Sequence, residues 1–339
     1  MSTTTVSSMS IPSVSVKTIR TGWWLWLALV LVGLALPKLL NSNFYLNLLT
    51  NGMVLGIAAV GIGFLMYQCG LVMFGVAAFI GLPAYLLGLG SDKLGLGLHT
   101  AVLFALVVST IFSLLVGMLV VKARPLPFAM LTLALAQMLK SITMLQVMRP
   151  LTGGDDGLTM TFKGTFFGLS QGQLGKAADF WPVAWLGLCL VLTVAWVASH
   201  SRFGQILRAT QANEERMRFS GFDTFRPRLW AFTLASFMIS VAGVLMALNS
   251  AFASPELLDF GTGGHSLVAM LVGGASNVAG PLLGALLYTW GQDAFGASGH
   301  LELLTGIAVV VVIAAFPKGV MGFLMQVVAA HLRSNSRKG

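Results

Sequence analysis

Long apolar runs recur along this chain, beginning with the segment WWLWLALVLVGLALP that follows a basic pair, Lys17 and Arg20. At 1.5 Å per residue, about 20 such residues cross the ~30 Å hydrocarbon layer of a bilayer. Backbone N–H and C=O groups find no partners in lipid, so the runs must pair their own groups as helices. The alternating pattern of a barrel strand is absent from them. Full spans are expected at 23–40, 44–66, 71–90, 99–121, 126–148, 180–199, 229–250 and 301–317. With 56% hydrophobic and 9% charged residues, the 339-residue chain cannot supply the polar surface a soluble protein needs.

Residues 264–293 read differently. HSLVAMLVGGASNVAGPLLGALLYTWGQD has two apolar halves of about thirteen residues, about 20 Å each, separated by a Gly/Ser/Asn/Pro-rich break. It is either one kinked helix or two half-helices meeting within the membrane, and charge separates the two. If the segment turns back, residues 1–22, 122–124, 200–228 and 317–339 share one side and hold 14 of the 20 Lys/Arg but 3 of the 11 Asp/Glu. That bias is the cytoplasmic signature. The expectation is therefore an all-α polytopic membrane protein with about eight full transmembrane helices plus a broken re-entrant half-helix pair. Residues 1–22 form a disordered cytoplasmic N-terminus, 23–317 the transmembrane domain, and 318–339 a basic cytoplasmic tail. Gly33-Leu34-Ala35 could pass for a cleavage site, but the many later spans favour an uncleaved anchor.

The net charge of +9 then reflects topology and not a nucleic-acid partner. Cys69 and Cys189 have no CxxC or His-rich neighbour and read as packing residues. HExxH and GxSxG are absent, and Gly175-Lys176 is followed by Ala177, so there is no P-loop. No catalytic residue, metal site or cofactor is expected. Energy for any transport must come from a partner or an ion gradient. Gly52-x-x-x-Gly56 and Gly280-x-x-x-Gly284 are spaced for close helix approach.

The longest charged loop, 200–228, contains SRFGQILRATQANEERMRFSGF. Phe203, Ile206, Leu207, Thr210 and Met217 recur at helical spacing, with Arg208, Glu215 and Arg218 pointing elsewhere and Gly221 as a stop. An amphipathic helix follows. It either rests on anionic headgroups or docks a soluble partner.

This loop resembles the coupling loop of the branched-chain amino acid permease family, M-type membrane subunits of binding-protein-dependent ABC importers. The family pattern Ser-x-Phe-Gly-Arg-x-Leu-x-Ala-x-Arg-x-Asn-Glu, with a later Gly, is matched by Ser201, Phe203, Gly204, Leu207, Ala209, Asn213, Glu214 and Gly221. GVAAFIGLPAY, LTGGDDGL and SPELLDFGTGGHSLVAMLVGGASNVAGPLLGA resemble three further family segments, in the family's order, over roughly residues 60–285. Leu71, Met73, Val76 and Pro83 stand where the family has Gln, Ser, His and Gly, and Asp155-Asp156 where Pro-Asn is common.

The resemblance implies a permease that couples ATP hydrolysis on partner subunits to inward movement of branched-chain or related amino acids. It also implies a bacterial inner-membrane location with both termini cytoplasmic. The implied partners are two ABC ATPase subunits, which would hold ATP and Mg, a homologous H-type permease, a periplasmic substrate-binding protein and membrane lipid. Phe203, Gly204, Leu207, Arg208, Ala209, Asn213, Glu214 and Gly221 would form the ATPase-coupling loop. For the substrate pathway, the residues themselves point to Lys140, with Thr132 and Gln137 on its face, and to Ser276 and Asn277 at the helix break. Lys140 could instead snorkel outward. Two other readings stay open: a stand-alone ion-coupled carrier, or a permease for urea, amides, aromatic acids or sugars.

Overall fold

The computed structural model describes residues 33, 36, 37, 42–275, 277–296, 301–315 and 319–323. The expected N-terminal segment 1–22, nearly all of span 23–40, Ser276 and most of the 318–339 tail lie outside the described residues.

The apolar runs become helices, two of which carry an internal proline, Pro83 and Pro182. The order is α1 (Asn43–Cys69), α2 (Val76–Gly88) running into a π turn (Leu89–Lys93), α3 (Leu98–Val120) and α4 (Pro125–Met144). Short α5 (Arg149–Thr152) and α6 (Gln171–Leu174) precede α7 (Ala177–His200), α8 (Arg202–Ala212) and α9 (Glu214–Phe219). Then come α10 (Phe225–Ser250), α11 (Phe260–Gly273), α12 (Gly280–Gly296) and α13 (Leu301–Ala315). The two-residue strands β1 (Leu158–Thr159) and β2 (Phe252–Ala253) pair antiparallel beside α2.

Among the described residues, five helices are long and apolar enough to cross a membrane: α1, α3, α4, α7 and α10. Of the eight expected spans, 23–40 lies almost wholly outside the described residues, and 71–90 and 301–317 give shorter helices. The helix expected over 71–90 begins only at Val76. Gly70 adopts a left-handed conformation (φ 68°) that ends α1, and its N–H closes onto Met66 O at 2.9 Å. Gly75 then presses against the backbone of Thr132 on α4, and its N–H donates to Thr132 Oγ1 at 3.3 Å. Residues 71–75 are therefore a close crossing and not a helical turn. The run at 301–317 yields a 15-residue helix, α13.

The break in 264–293 is present at residues 274–279, between α11 and α12, and the two helices fold back on each other. A Cβ on Gly284 would meet Ala269 O and Gly273 N, and one on Gly280 would meet Gly274 O. Backbone touches backbone here, which only glycine permits. On α1, Gly52 and Gly56 lie against Leu286 and Leu282 of α12. Both small-residue motifs thus mark close approach, one on each face of α12.

α1 and α10 are the hidden helices: 78% and 83% of their apolar windows are buried, against 22% for α3 and 28% for α4. They cross where Gly61 admits Ile239 and Ala235. Gly70, just past α1, lies against Gln211, while Arg228 near the start of α10 reaches Glu214, so the two helices run antiparallel. α1 packs on α11 and α12 from the second half of the chain, and α10 packs on α2 and α3 from the first. Each of the two central helices thus packs against elements of the opposite half of the chain. We call the end carrying α8 and α9 the loop end and its opposite the far end.

Gly284→Ala should force α11 and α12 apart and lower stability by about 1–3 kcal/mol, the usual effect of overpacking. Gly291→Ala on the same helix meets nothing within 4 Å and should be silent. Thermal midpoints of the purified chain in detergent would separate the two.

Candidate functional site

At the loop end, α8 and α9 form an elbow. Ser201 caps α8 by accepting from Gly204 N (3.4 Å), and Asn213 ends α8 while capping α9 by accepting from Arg216 N (2.9 Å). Gly204 lies against the carbonyls of Ser199 and Ala198, closer than any Cβ allows, which lets α8 fold back beneath α7.

The apolar ridge expected to meet a partner faces the bundle instead. Leu207, Thr210 and Gly204 are buried, and Phe203, Ile206 and Met217 are half-buried. The physical reason is local: α1, α7 and α10 offer apolar surface directly above α8. Among the residues that remain outward are Ala209, Asn213, Glu215, Arg216, Gly221 and two aromatic rings, Phe219 at 92% exposure and Phe222 at 52%. Helical spacing located the amphipathic face correctly but could not say which surface it would choose.

Two ionic anchors hold the elbow. Arg208 Nη1 donates to Ser199 O (2.9 Å) and to Gln68 Oε1 (3.3 Å), joining α8 to the ends of α7 and α1. Glu214 accepts from Arg228 Nη1 (2.7 Å) on α10 and from Arg218 Nη2 (3.0 Å) on its own helix, and Thr224 Oγ1 donates to it at 3.3 Å. The role of Glu214 as a hub was not visible in the sequence, because Arg228 lies fourteen residues away on another helix.

The expected pathway residues do not converge. Thr132 is wholly buried and donates to Ala129 O (2.8 Å) while receiving Gly75 N. Lys140 forms an ion pair with Asp259 at 2.8 Å, tying α4 to the start of α11 at the far end. That hydrogen bond, with smaller help from the Lys140 charge, Gln137 and the Phe260 amide, holds the Asp259 carboxyl below its usual range against opposing desolvation. Asn277 sits in the 274–279 turn, toward the loop end, and its carbonyl accepts from Gly280 N at 3.2 Å. Ser276 is not among the described residues.

Polar groups that do converge were missed. A cavity of about 340 Å³ opens among α1, α2, α10, α11 and α12 in the far half of the bundle. Asn51, Asn249, Thr262, His265, Ser266 and Gln292 face it from several sides, above an apolar floor that includes Val54, Ile80 and Met246. The Ser266 hydroxyl is fully buried without a partner, and Tyr288 bridges His265 (2.6 Å) and Gln292 (3.1 Å). Among the described residues, no Asp, Glu, Lys or Arg lines the cavity. The signal available beforehand was Asn249, an amide inside an otherwise apolar span.

Replacing Glu214 by Gln would leave Arg228, 14% exposed, without its counter-charge. We expect a loss of about 1–2 kcal/mol, between surface and buried ion-pair values, with protease cleavage in 213–224 accelerated. Glu215→Gln, on the open face, should change neither.

Comparison with known proteins agrees with this layout. Residues 44–329 match the family model described as "Branched-chain amino acid transport system / permease component". The high-affinity branched-chain amino acid transport system permease protein LivM of Salmonella typhimurium is 25% identical over 297 residues, 82% of this chain and 69% of that protein. Its Escherichia coli K12 counterpart is 24% identical over the same shares. The autoinducer 2 import system permease protein LsrC of Yersinia pseudotuberculosis is 30% identical over 222 residues, 63% of this chain and 59% of that protein. No solved structure matches. A permease of this kind is a multi-pass membrane protein that performs no catalysis and carries no cofactor of its own. This chain belongs to the branched-chain amino acid transport permease family.

Proposed function

We propose that this chain is one permease subunit of a binding-protein-dependent ABC importer in a bacterial inner membrane, with the loop end and both termini cytoplasmic. Two ATPase subunits engage the elbow, an H-type permease completes the membrane portion, and a periplasmic binding protein delivers solute at the far end. The observation that carries this reading is the elbow itself. It is a rigid, doubly anchored element whose best-exposed apolar side chain, Phe219, projects where a soluble motor can grip it. A loop serving only as a topological anchor has no need of capped helices and cross-helix ion pairs.

The cavity is where solute contact with this subunit is expected, with α1 and α10 running from the elbow to its walls. Branched-chain or related amino acids lead the substrate reading because the LivM relatives cover most of the chain. A second reading has its own support: the uncharged lining suits a neutral solute better than a zwitterion, whose two charges would lose hydration with nothing opposite them. Lys140, Gln137 and Thr132 serve in this account as braces around α4, and Asn277 as part of the α11–α12 turn.

Proteoliposomes carrying both permeases and the ATPases should take up solute only with internal ATP and the external binding protein. Uptake by this chain alone, abolished by an uncoupler, would establish the ion-coupled carrier instead. Phe219→Ala should weaken ATPase association by about 30-fold, a typical hot-spot loss of about 2 kcal/mol, and leave the thermal midpoint of the free chain unchanged. A panel of leucine, urea, an aromatic acid and a pentose would rank the substrate readings.

A further inference from the structure

A second cavity, of about 260 Å³, lies at the loop end between the end of α3, α9 and the start of α10. Lys122, Arg218 and Arg228 line it together with Glu214 and Thr224. Three cations against one carboxylate leave two positive charges uncompensated. Both carboxylate oxygens of Glu214 are already engaged, Oε2 by Arg228 and Oε1 by Arg218 and Thr224. Donors nonetheless remain. Arg228 Nε is buried without any hydrogen-bond partner, although a buried guanidinium N–H left alone is costly. Among the described residues, no carboxylate lies within ion-pair distance of Lys122 Nζ, which sits 5.4 Å over the Phe225 ring.

Position narrows the missing group. Lys122 follows the last turn of α3, a helix whose apolar side chains are largely exposed, and Phe225 opens α10. Leu119 (78% exposed) and Leu126 (80%) flank Lys122 within about one turn of chain on either side. This is the level at which hydrocarbon gives way to headgroups. An anion there that can accept several hydrogen bonds at once is a phosphate, whose oxygens match guanidinium donors well.

We propose that this cavity binds a phosphate oxyanion, and that its source in the membrane is the phosphodiester of an anionic phospholipid. The oxyanion joins Lys122 of the α3 end, Arg218 of α9 and Arg228 of α10, and so fastens the elbow to two membrane helices at a point Glu214 alone does not reach. The inference is independent of what the chain transports.

The test uses the purified full-length chain, exposed to equal amounts of phosphatidylglycerol and phosphatidylcholine and examined by native mass spectrometry. The wild type and Lys122→Arg should retain phosphatidylglycerol preferentially. Lys122→Gln should lose about fivefold of that preference, the effect of one basic side chain at an anionic surface, while Arg202→Gln, a cation outside the cavity, should lose none. Arg218→Gln gives the same readout if Lys122→Gln is not recovered folded. Should lipid preference be absent while millimolar inorganic phosphate raises the thermal midpoint of the wild type but not of Lys122→Gln, the oxyanion site stands and its source is free phosphate. Identical behaviour of Lys122→Gln and Arg202→Gln in both measurements overturns the proposal.

Discussion

The close burial of α1 against α10 is the constraint on which the other contacts depend. Two helices of 27 and 26 residues can be hidden inside a membrane bundle only if their neighbours approach almost to backbone contact. Apolar burial supplies little drive between helices already surrounded by lipid, so van der Waals fit must do it. Small residues are spent accordingly: Gly61 under Ile239, Gly56 under Leu282, Gly63 under Pro281 and Gly243 against the Ile80 carbonyl. Each central helix accordingly finds a groove on the opposite half of the chain.

Charge is confined to the two ends and is handled differently at each. At the far end a single cation, Lys140, enters a membrane helix near its terminus and is met by Asp259, whose carboxylate is also held by neighbouring donors. The pair is partly exposed, so it fixes the angle between α4 and α11 more than it adds stability. At the loop end, Glu214 and Arg208 work on less exposed geometry, and each crosses from the elbow to a different central helix. Force applied to α9 on the proposed reading therefore reaches α10 through Glu214–Arg228, and force on α8 reaches α1 through Arg208–Gln68.

Much of this fold was legible because hydrophobic length is a one-dimensional property. The spans at 44–66, 99–121 and 180–199 needed only run length, and the break within 264–293 needed only its glycines and the sidedness of Lys and Arg. The helix at 71–90 misled for the opposite reason: LVMFG is apolar throughout, and only the three-dimensional crossing of Gly75 over Thr132 keeps it from being helical. The site was less legible. Lys140 stood out as an isolated charge, yet its meaning depended on Asp259, 119 residues away. The far cavity is assembled from polar residues scattered over α1, α10, α11 and α12, which only the fold brings together.

The neutrality of that cavity has a cause in the same packing. Its walls belong to the most buried helices, where an unpaired charge would have neither water nor a counter-ion. Asparagine, glutamine, serine, threonine and histidine are the polar groups such helices can carry without a counter-ion, because their donors and acceptors can be met by neighbouring neutral groups. The contacts this cavity offers a guest are thus hydrogen bonds and shape. On the proposed reading, a zwitterionic solute would need charges opposite its ammonium and carboxylate from outside this lining, since Lys140 and Asp259 already neutralise each other. Under the same proposal, a second permease would have to supply any discrimination by charge that this neutral wall does not.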